Sequence, residues 1–418
     1  MLKYLKGNIK SAILGPLFII VDTAAMISIP FFTSKIMDIG IPNGDQNYII
    51  QMGIYMVIIS IISMIGGFLA MYYSSKAAYG FGANLRKDLI EKIQEFSFSN
   101  INKFGTASLI TRITNDVEIL VQLVQMCLRM LIRTPVMLIG GIIMMITMSP
   151  KVALIFLVLI PILIIVMTII LKKGFPLFKK VQTKIDNVNE VIRENLIGAR
   201  VVKSFVRQDY ENQRFNNANS ELMDITIKSF NVMILLMPVI MLIMNLSIAA
   251  VLWIGASGTI EVGAISASIT YMTMTLMSLM MLSMIFMNFS RAKASTDRIS
   301  EILNEKPDVT NKENCVTKEI VAGAVEFDVD EFAFKDSEGE AILTNIKCKI
   351  NSGEMVAIIG STGTGKSTMV NLIPRFYDVT KGSVKIDGID TRDYDITTLR
   401  NGIGMVLQEN RLFAGTIA

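Results

Sequence analysis

Six stretches of the chain are apolar over the length that a helix needs to cross a bilayer, roughly 12–36, 48–72, 130–148, 152–171, 230–253 and 264–287. The connections between them alternate between short and long. Residues 38–47, 149–151 and 254–263 are short and hold a single basic residue, Lys151, whereas the long connections carry Lys76, Arg86, Lys87, Lys92, Lys103 and Arg112, and then Lys172, Lys173, Lys179, Lys180, Lys184, Arg193, Arg200, Lys203, Arg207 and Arg214. Basic residues stay on the cytoplasmic side of a bilayer, so the pattern puts the long connections and both termini in the cytosol. Residues 73–100 and 172–194 are rich in helix formers and hold one proline, Pro176. They are expected to prolong the second and fourth spans as rods, with a short helix lying across each turnaround. After residue 305 the pattern changes to short apolar runs broken by Gly, Asp and Lys, the signature of alternating strands and helices. The expected architecture is an α-helical six-span membrane domain, 1–305, a linker, 306–323, and a partial α/β domain, 324–418.

Composition supports this division. With 52% hydrophobic and 18% charged residues, the apolar excess has to face lipid. The net charge of +4 is mild and lies between the spans without interleaved aromatics, which excludes a nucleic-acid surface. There is no histidine, so catalysis or metal binding by imidazole is excluded for this chain, and Cys127, Cys315 and Cys348 have no metal-ligand spacing. Lys3, Lys6 and Lys10 ahead of an apolar run resemble a signal peptide, but no small-residue cleavage pattern follows, so the first span is expected to stay in the membrane.

The candidate chemistry lies at Gly360, Ser361, Thr362, Gly363, Thr364, Gly365, Lys366, Ser367 and Thr368, whose first eight residues read G-x-x-x-x-G-K-S. Glycines let such a loop turn its N–H groups towards phosphate oxygens, the lysine reaches the terminal phosphates, and the serine hydroxyl helps to hold Mg²⁺. Residues 355–359 are expected to form a buried strand entering the loop, and 368–376 a helix leaving it. Further along, 383–386 reads as a strand and Asp387-Gly388 as a turn. Val329-Asp330-Glu331 resembles a strand ending in an acidic pair but precedes the loop, and is expected to be an early strand. Residues 324–418 are about half of what a doubly wound nucleotide-binding domain needs, so an incomplete reading frame is expected.

With six spans, two turnarounds and a P-loop in this order, the chain resembles the ABC exporter family, multidrug type, in which a membrane domain is fused to an ATPase domain. The resemblance covers the whole chain and rests on Phe104-Gly105-Thr106 through Thr114-Asn115-Asp116, Gly198-Ala199-Arg200-Val201-Val202-Lys203, Gly360 to Thr368, Asp387-Gly388, and Gln408 with Leu412-Phe413-Ala414-Gly415-Thr416-Ile417. It implies that the two turnarounds are coupling helices docking on ATPase domains. It also implies that Gln408 contacts Mg²⁺ and the attacking water, making Lys366 and Gln408 the catalytic candidates and Ser367 and Gln408 the metal candidates. Phe334 stands where the family stacks a tyrosine on adenine, and phenylalanine retains the stacking face. The family's signature loop, its Walker B acidic pair and its switch histidine follow the Q-loop and are not among these residues. The resemblance therefore implies that ATP and Mg²⁺ drive export of amphiphilic or drug-like molecules from the cytoplasmic membrane by the complete protein, with this chain alone not catalytic. It also implies a second half-transporter as partner; Phe104-Gly105-Thr106 and the short first external loop lean towards a heterodimer. A lipid or peptide cargo, a nucleotide-sensing membrane protein that does not transport, and a membrane-anchored kinase are the competing readings.

Within the spans, Asp22 is the acidic residue of an apolar window; it has a role in cation binding or proton relay, or it pairs with Arg129 or Arg133, one helical turn apart. Those arginines otherwise snorkel to headgroups. Met277, Met280, Met284 and Met287, among 29 methionines, recur at helical spacing and suit either packing or binding of varied apolar shapes. Pro135, Pro161 and Pro238 are expected kink points.

Overall fold

The computed structural model describes residues 1–256, 260–334, 341–407 and 414–416. Among the described residues, six helices are long and apolar enough to cross a membrane: Ile9–Gly40, Gln46–Gln94, Thr106–Met148, Pro161–Ile197, Gln208–Ile254 and Val262–Leu279. Their helical elements are α1 (Ile9–Lys35), α2 (Gln46–Gln94), α3 (Phe98–Phe104), α4 (Thr106–Thr111), α5 (Val117–Met148), α6 (Pro150–Ile197), α7 (Ala199–Ser204), α8 (Gln208–Ile234), α9 (Leu236–Ile254) and α10 (Val262–Asn304). At 49 and 48 residues, α2 and α6 are more than twice the length needed to span the hydrocarbon core, as expected for rods. Contacts divide the chain into two compact units, one of residues 1–10, 75–125 and 287–418, the other of residues 11–74 and 126–286.

In the membrane unit, Ile27, Met145, Val152, Leu163, Ile240, Val251, Tyr271 and Met272 form a core drawn from five helices. Small residues permit the close approaches: a Cβ on Gly15 would stand 2.5 Å from Ser74 Oγ, and one on Gly141 2.7 Å from Thr275 Oγ1. Four hydroxyls of α10 are satisfied within the helix, as a medium without water demands. Ser268 donates to Ala264 O, Thr270 to Ser266 O, Thr273 to Ile269 O and Thr275 to Tyr271 O, while Tyr271 reaches across to Ile27 O at 2.9 Å. Pro135 and Pro161 lie inside α5 and α6, and Pro238 follows the break at Leu235 that separates α8 from α9. The second turnaround is α7, capped at both ends by non-helical backbone at Gly198 and Phe205, and Ile197, Val201, Phe205 and Val206 are exposed there.

In the other unit, the first turnaround is α3, α4 and a π-helical turn at Arg112–Asp116 leading into α5. Its apolar side, with Phe104, Leu109 and Val117, joins Phe81, Leu85 and Leu89 of α2 and Ile299 and Ile302 of α10 in one core. Buried Asp116 accepts from Ser295 Oγ at 2.9 Å and from Arg298 Nε at 2.8 Å, and Arg298 Nη2 bonds it as well. Beyond α10 stands a four-stranded antiparallel sheet of order β2-β1-β3-β4, formed by β1 (Val325–Phe332), β2 (Leu343–Ile350), β3 (Lys381–Ile386) and β4 (Ile389–Asp390). Phe327 and Val329 face inward by strand alternation; the register then shifts opposite Gly382, and Phe332 turns inward too. Gly382 has φ +101, and a Cβ there would stand 2.2 Å from Asp328 O, so the bulge requires glycine. The expected turn at Asp387-Gly388 joins β3 to β4 with φ of 51 and 78. Val329-Asp330-Glu331 lies in β1, as its position implied.

Two expectations fail here. Residues 355–359 are not a buried strand: Met355 is 100% and Ile359 93% exposed, and no described strand pairs with the segment. An apolar run becomes a strand only when a neighbouring backbone accepts its hydrogen bonds, and residues 403–407, three of which line the same cavity as Ile358, form no ladder either. The helix expected over 368–376 is α11 (Lys366–Leu372), which begins earlier and stops before Pro374, whose ring nitrogen carries no hydrogen for the ladder. The chain ends its described core at α12 (Ile396–Asn401), capped by Asp395, which accepts from Thr398 N at 2.9 Å. That N–H bond foremost, then the Thr398 hydroxyl and Asn311, holds the Asp395 carboxyl below its ordinary value. Its stabilisation is therefore complete above the unfolded carboxylate value of about 4 and is lost as pH falls through the depressed folded one. Thermal unfolding of Asp395→Ala beside the parent should show a difference at pH 7 that vanishes in strong acid.

Candidate functional site

The loop between residues 355–359 and α11 is built by two left-handed glycines. Gly363 has φ +89 and Gly365 +85, conformations that cost a side-chain-bearing residue about 1 kcal/mol or more. A Cβ on Gly365 would also stand 2.6 Å from Leu343 Cδ2 and 3.4 Å from Ile342 O, because the loop leans on the start of β2. At Gly363 an added Cβ meets nothing within 4 Å, so the mouth of the loop is open. Lys366 folds back over it, its Nζ donating to Gly360 O at 3.0 Å and Ser361 O at 2.6 Å, and Thr364 Oγ1 donates to Ser361 O at 2.9 Å. An ammonium held by neutral carbonyls can exchange them for anionic oxygens, which bind it more strongly. Lys366 and Ser367 line a cavity of about 460 Å³ with Ile358, Val370, Asn371, Met405, Val406 and Leu407. The Lys366 ammonium, the Ser367 hydroxyl and the Asn371 amide in this lining, with the N–H groups of the open glycine loop that precedes them, fit a polyphosphate and an accompanying divalent cation.

Gln408 lies outside the described residues; its neighbour Leu407 lines the cavity. Phe334 is not beside Lys366 in that cavity. It packs edge-on against Phe332 and Tyr377 at 5.1 and 5.0 Å between centroids and lines a separate cavity of about 420 Å³ with Ser99, Asp308 and Thr380. We expect Gly365→Ala to lower the stability of the nucleotide-binding part by about 1–3 kcal/mol, from strain at positive φ plus displacement of Leu343. Thermal melts with and without ATP would register it.

The first turnaround touches this part of the chain through residues that sequence reasoning passed over. The Phe98 ring lies 4.6 Å from that of Phe376 and 6.3 Å from that of Tyr377, and Arg400 covers Phe376 at 5.3 Å. Burial pushes the Tyr377 phenol up, while a hydrogen bond with the Asn102 side chain pulls it the other way. Asn100 ties α3 to the end of α10 and the residues that follow. The Ser97-x-x-Asn100 spacing of a capping box was the signal available for it.

In the spans, Asp22 is paired. The residue is 5% exposed, and its carboxylate accepts from Ser63 Oγ at 2.6 Å and faces Arg133 Nη1 at 3.3 Å. Gly66 and Gly67 bring α2 against it: a Cβ on Gly67 would stand 3.7 Å from the Asp22 carboxylate. Arg133, which the sequence allowed to snorkel, is thus the partner, and Arg129 is not; Arg129 Nε is buried without a hydrogen-bond partner among the described residues. Of the methionine stripe, Met277 is exposed, and the side chains of Met280, Met284 and Met287 lie outside the described set.

A six-span helical unit followed by a P-loop beside a small antiparallel sheet defines an ATP-binding transporter with fused membrane and nucleotide-binding parts. The chain belongs to the ABC transporter family: residues 12–284 match the family model of the ABC transporter transmembrane region, and residues 343–418 match that of the ABC transporter itself. It is 37% identical over 420 residues to the uncharacterized ABC transporter ATP-binding protein YfiB of Bacillus subtilis, covering 100% of this chain and 73% of the relative. It is 32% identical over 359 residues to the putative multidrug export ATP-binding/permease protein YgaD of the same organism, covering 84% and 60%. It is 30% identical over 339 residues to the ATP-dependent lipid A-core flippase of Syntrophus aciditrophicus, covering 80% and 56%. Membership implies a multi-pass membrane protein that binds ATP, ATPase activity in the family, and half-transporters that act in pairs.

Proposed function

We propose that the chain is one half of an exporter that uses ATP to move amphiphilic or drug-like small molecules out through the cytoplasmic membrane. In this reading residues 1–305 are the membrane domain, 306–323 the linker and 324–418 the start of the ATPase domain, with that domain and both termini in the cytosol. The observation that carries it is the pairing of an open P-loop cavity at Lys366 and Ser367 with a turnaround, at Phe98, seated on the same part of the chain. Residues 360–368 wrap the phosphates of ATP, Lys366 reaches the terminal one, Ser367 and Gln408 hold Mg²⁺, Gln408 places the attacking water, and Phe334 stacks on adenine. ATP drives the cycle only through its preference for one arrangement of the two halves. The exposed apolar residues of the second turnaround, Val201 in α7 and Ile197, Phe205 and Val206 beside it, suit docking on the ATPase domain of a second half, a related chain in a heterodimer.

Drug-like cargo is supported by the relative named for multidrug export and by the flexible thioether of exposed Met277. A lipid cargo is the second reading, favoured by the relatives named as lipid A-core flippases. The complete transporter, reconstituted with its partner half in vesicles, decides between them: ATP-dependent ethidium uptake is expected, and ATP-dependent translocation of a fluorescent lipid without ethidium uptake would reverse the choice.

A further inference from the structure

We propose that Asn100 is the joint that fixes the first turnaround to the chain leading into the nucleotide-binding part, so that its side-chain amide sets how tightly nucleotide-driven motion is coupled to transport. Asn100 is 1% exposed and uses its whole hydrogen-bonding capacity. Its Oδ1 accepts from Ser97 N at 3.2 Å, Ser97 Oγ at 2.6 Å and Asp308 N at 3.2 Å. Its Nδ2 donates to Glu305 Oε1 at 3.1 Å and Lys306 O at 3.2 Å. One amide therefore joins the N-terminus of α3, the residue following α10, and the linker.

Neighbouring bonds brace the same joint without replacing it. Lys103 Nζ reaches both Glu305 oxygens at 2.9 Å, and Ser99 donates to Asp308. These side chains lie nearer solvent, where an ion pair contributes little. The ring contacts of Phe98 with Phe376 and Tyr377 are non-directional and tolerate sliding, whereas the five bonds of Asn100 fix distance and orientation together. Held on one side by the aromatic pair and on the other by Asn100, α3 has to follow the linker and the sheet. Asn100 contacts no reacting group and acts as a positioning residue.

The polarity of the amide provides the test. Asn100→Asp keeps the shape but turns a donor into an acceptor facing the Glu305 carboxylate and the Lys306 carbonyl. Adding Glu305→Gln restores a donor–acceptor pair in reverse. In the complete transporter in vesicles, with ethidium as probe, we expect N100D to lower ethidium moved per ATP hydrolysed about tenfold, the equivalent of one buried charge-assisted hydrogen bond, with ATP affinity unchanged. The N100D/E305Q pair is expected to recover the ratio to within about threefold of the parent. The proposal is overturned if N100D lowers only the amount of folded protein and leaves the ratio intact, or if the double variant fails to recover it while E305Q alone is normal. Should N100D not accumulate, Glu305→Ala is read in the same way, a lowered ratio supporting the joint and an unchanged one overturning it. Because the proposal rests on the exporter reading, the parent is measured alongside: no ATP-driven movement of ethidium or lipid by the parent sinks that reading and the joint with it, whereas an active parent with an indifferent N100D sinks the joint alone.

Discussion

Lys366→Ala is expected to abolish ATP-driven transport by the complete exporter. The lysine contributes the one ammonium among the described residues lining the P-loop cavity, and among the described residues it bonds to the carbonyls of Gly360 and Ser361. Replacing those neutral acceptors with phosphate oxygens strengthens each bond, a hydrogen bond to a charged group contributing about 1.5–3 kcal/mol. Losing it weakens ATP binding roughly 10- to 100-fold, and transport falls further because the same charge stabilises the phosphoryl group in transit. Titration with a fluorescent ATP analogue and vesicle uptake measure the two effects separately. Undiminished uptake by K366A would remove the nucleotide from the mechanism.

The second large effect is expected in the membrane. Asp22→Ala leaves Arg133 without its carboxylate and Ser63 without its acceptor, whereas Asp22→Ala with Arg133→Met removes both charges. Breaking one side of a buried pair costs about 3–5 kcal/mol; with the Arg133 side chain 31% exposed, the lower end of that range applies. The double variant should regain most of the loss in thermal unfolding of the solubilised protein. Equal melting of single and double variants would mean that the pair adds nothing beyond packing, and a cargo-specific loss of uptake in a stable D22A/R133M would return Asp22 to the role of a binding group.

Periodicity and length made the spans, the rods and the turnarounds legible, since lipid admits few alternatives to a satisfied helix. The P-loop was legible because its glycines are dictated by backbone geometry, and Gly363 and Gly365 hold the positive φ the pattern implies. What failed depends on neighbours. Residues 355–359 have a strand's composition, yet strand formation is decided by a partner that no local pattern encodes. The antiparallel sheet was visible only in fragments at 329–331 and 383–386, because β1 is held between β2 and a strand, β3, whose partners such as Ile386 for Val325 lie far along the chain. Arg133 as the partner of Asp22 emerged from packing, Arg129 having equal claim by spacing. Asn100 escaped notice because its partners at 305–308 are two hundred residues away.

The hydroxyls of α10 carry one further implication. Ser268, Thr270, Thr273 and Thr275 each hold an acceptor on their own helix, so they bring it along wherever the helix goes. Such a helix can roll or tilt against its neighbours without stranding these hydroxyls in oil, whereas the bonds from Tyr271 to Ile27 O and from Gly263 N to Asp38 Oδ1 must break when it does. The last span is thereby lubricated by its own hydroxyls and held at Gly263 and at Tyr271, the arrangement of an axle with detents.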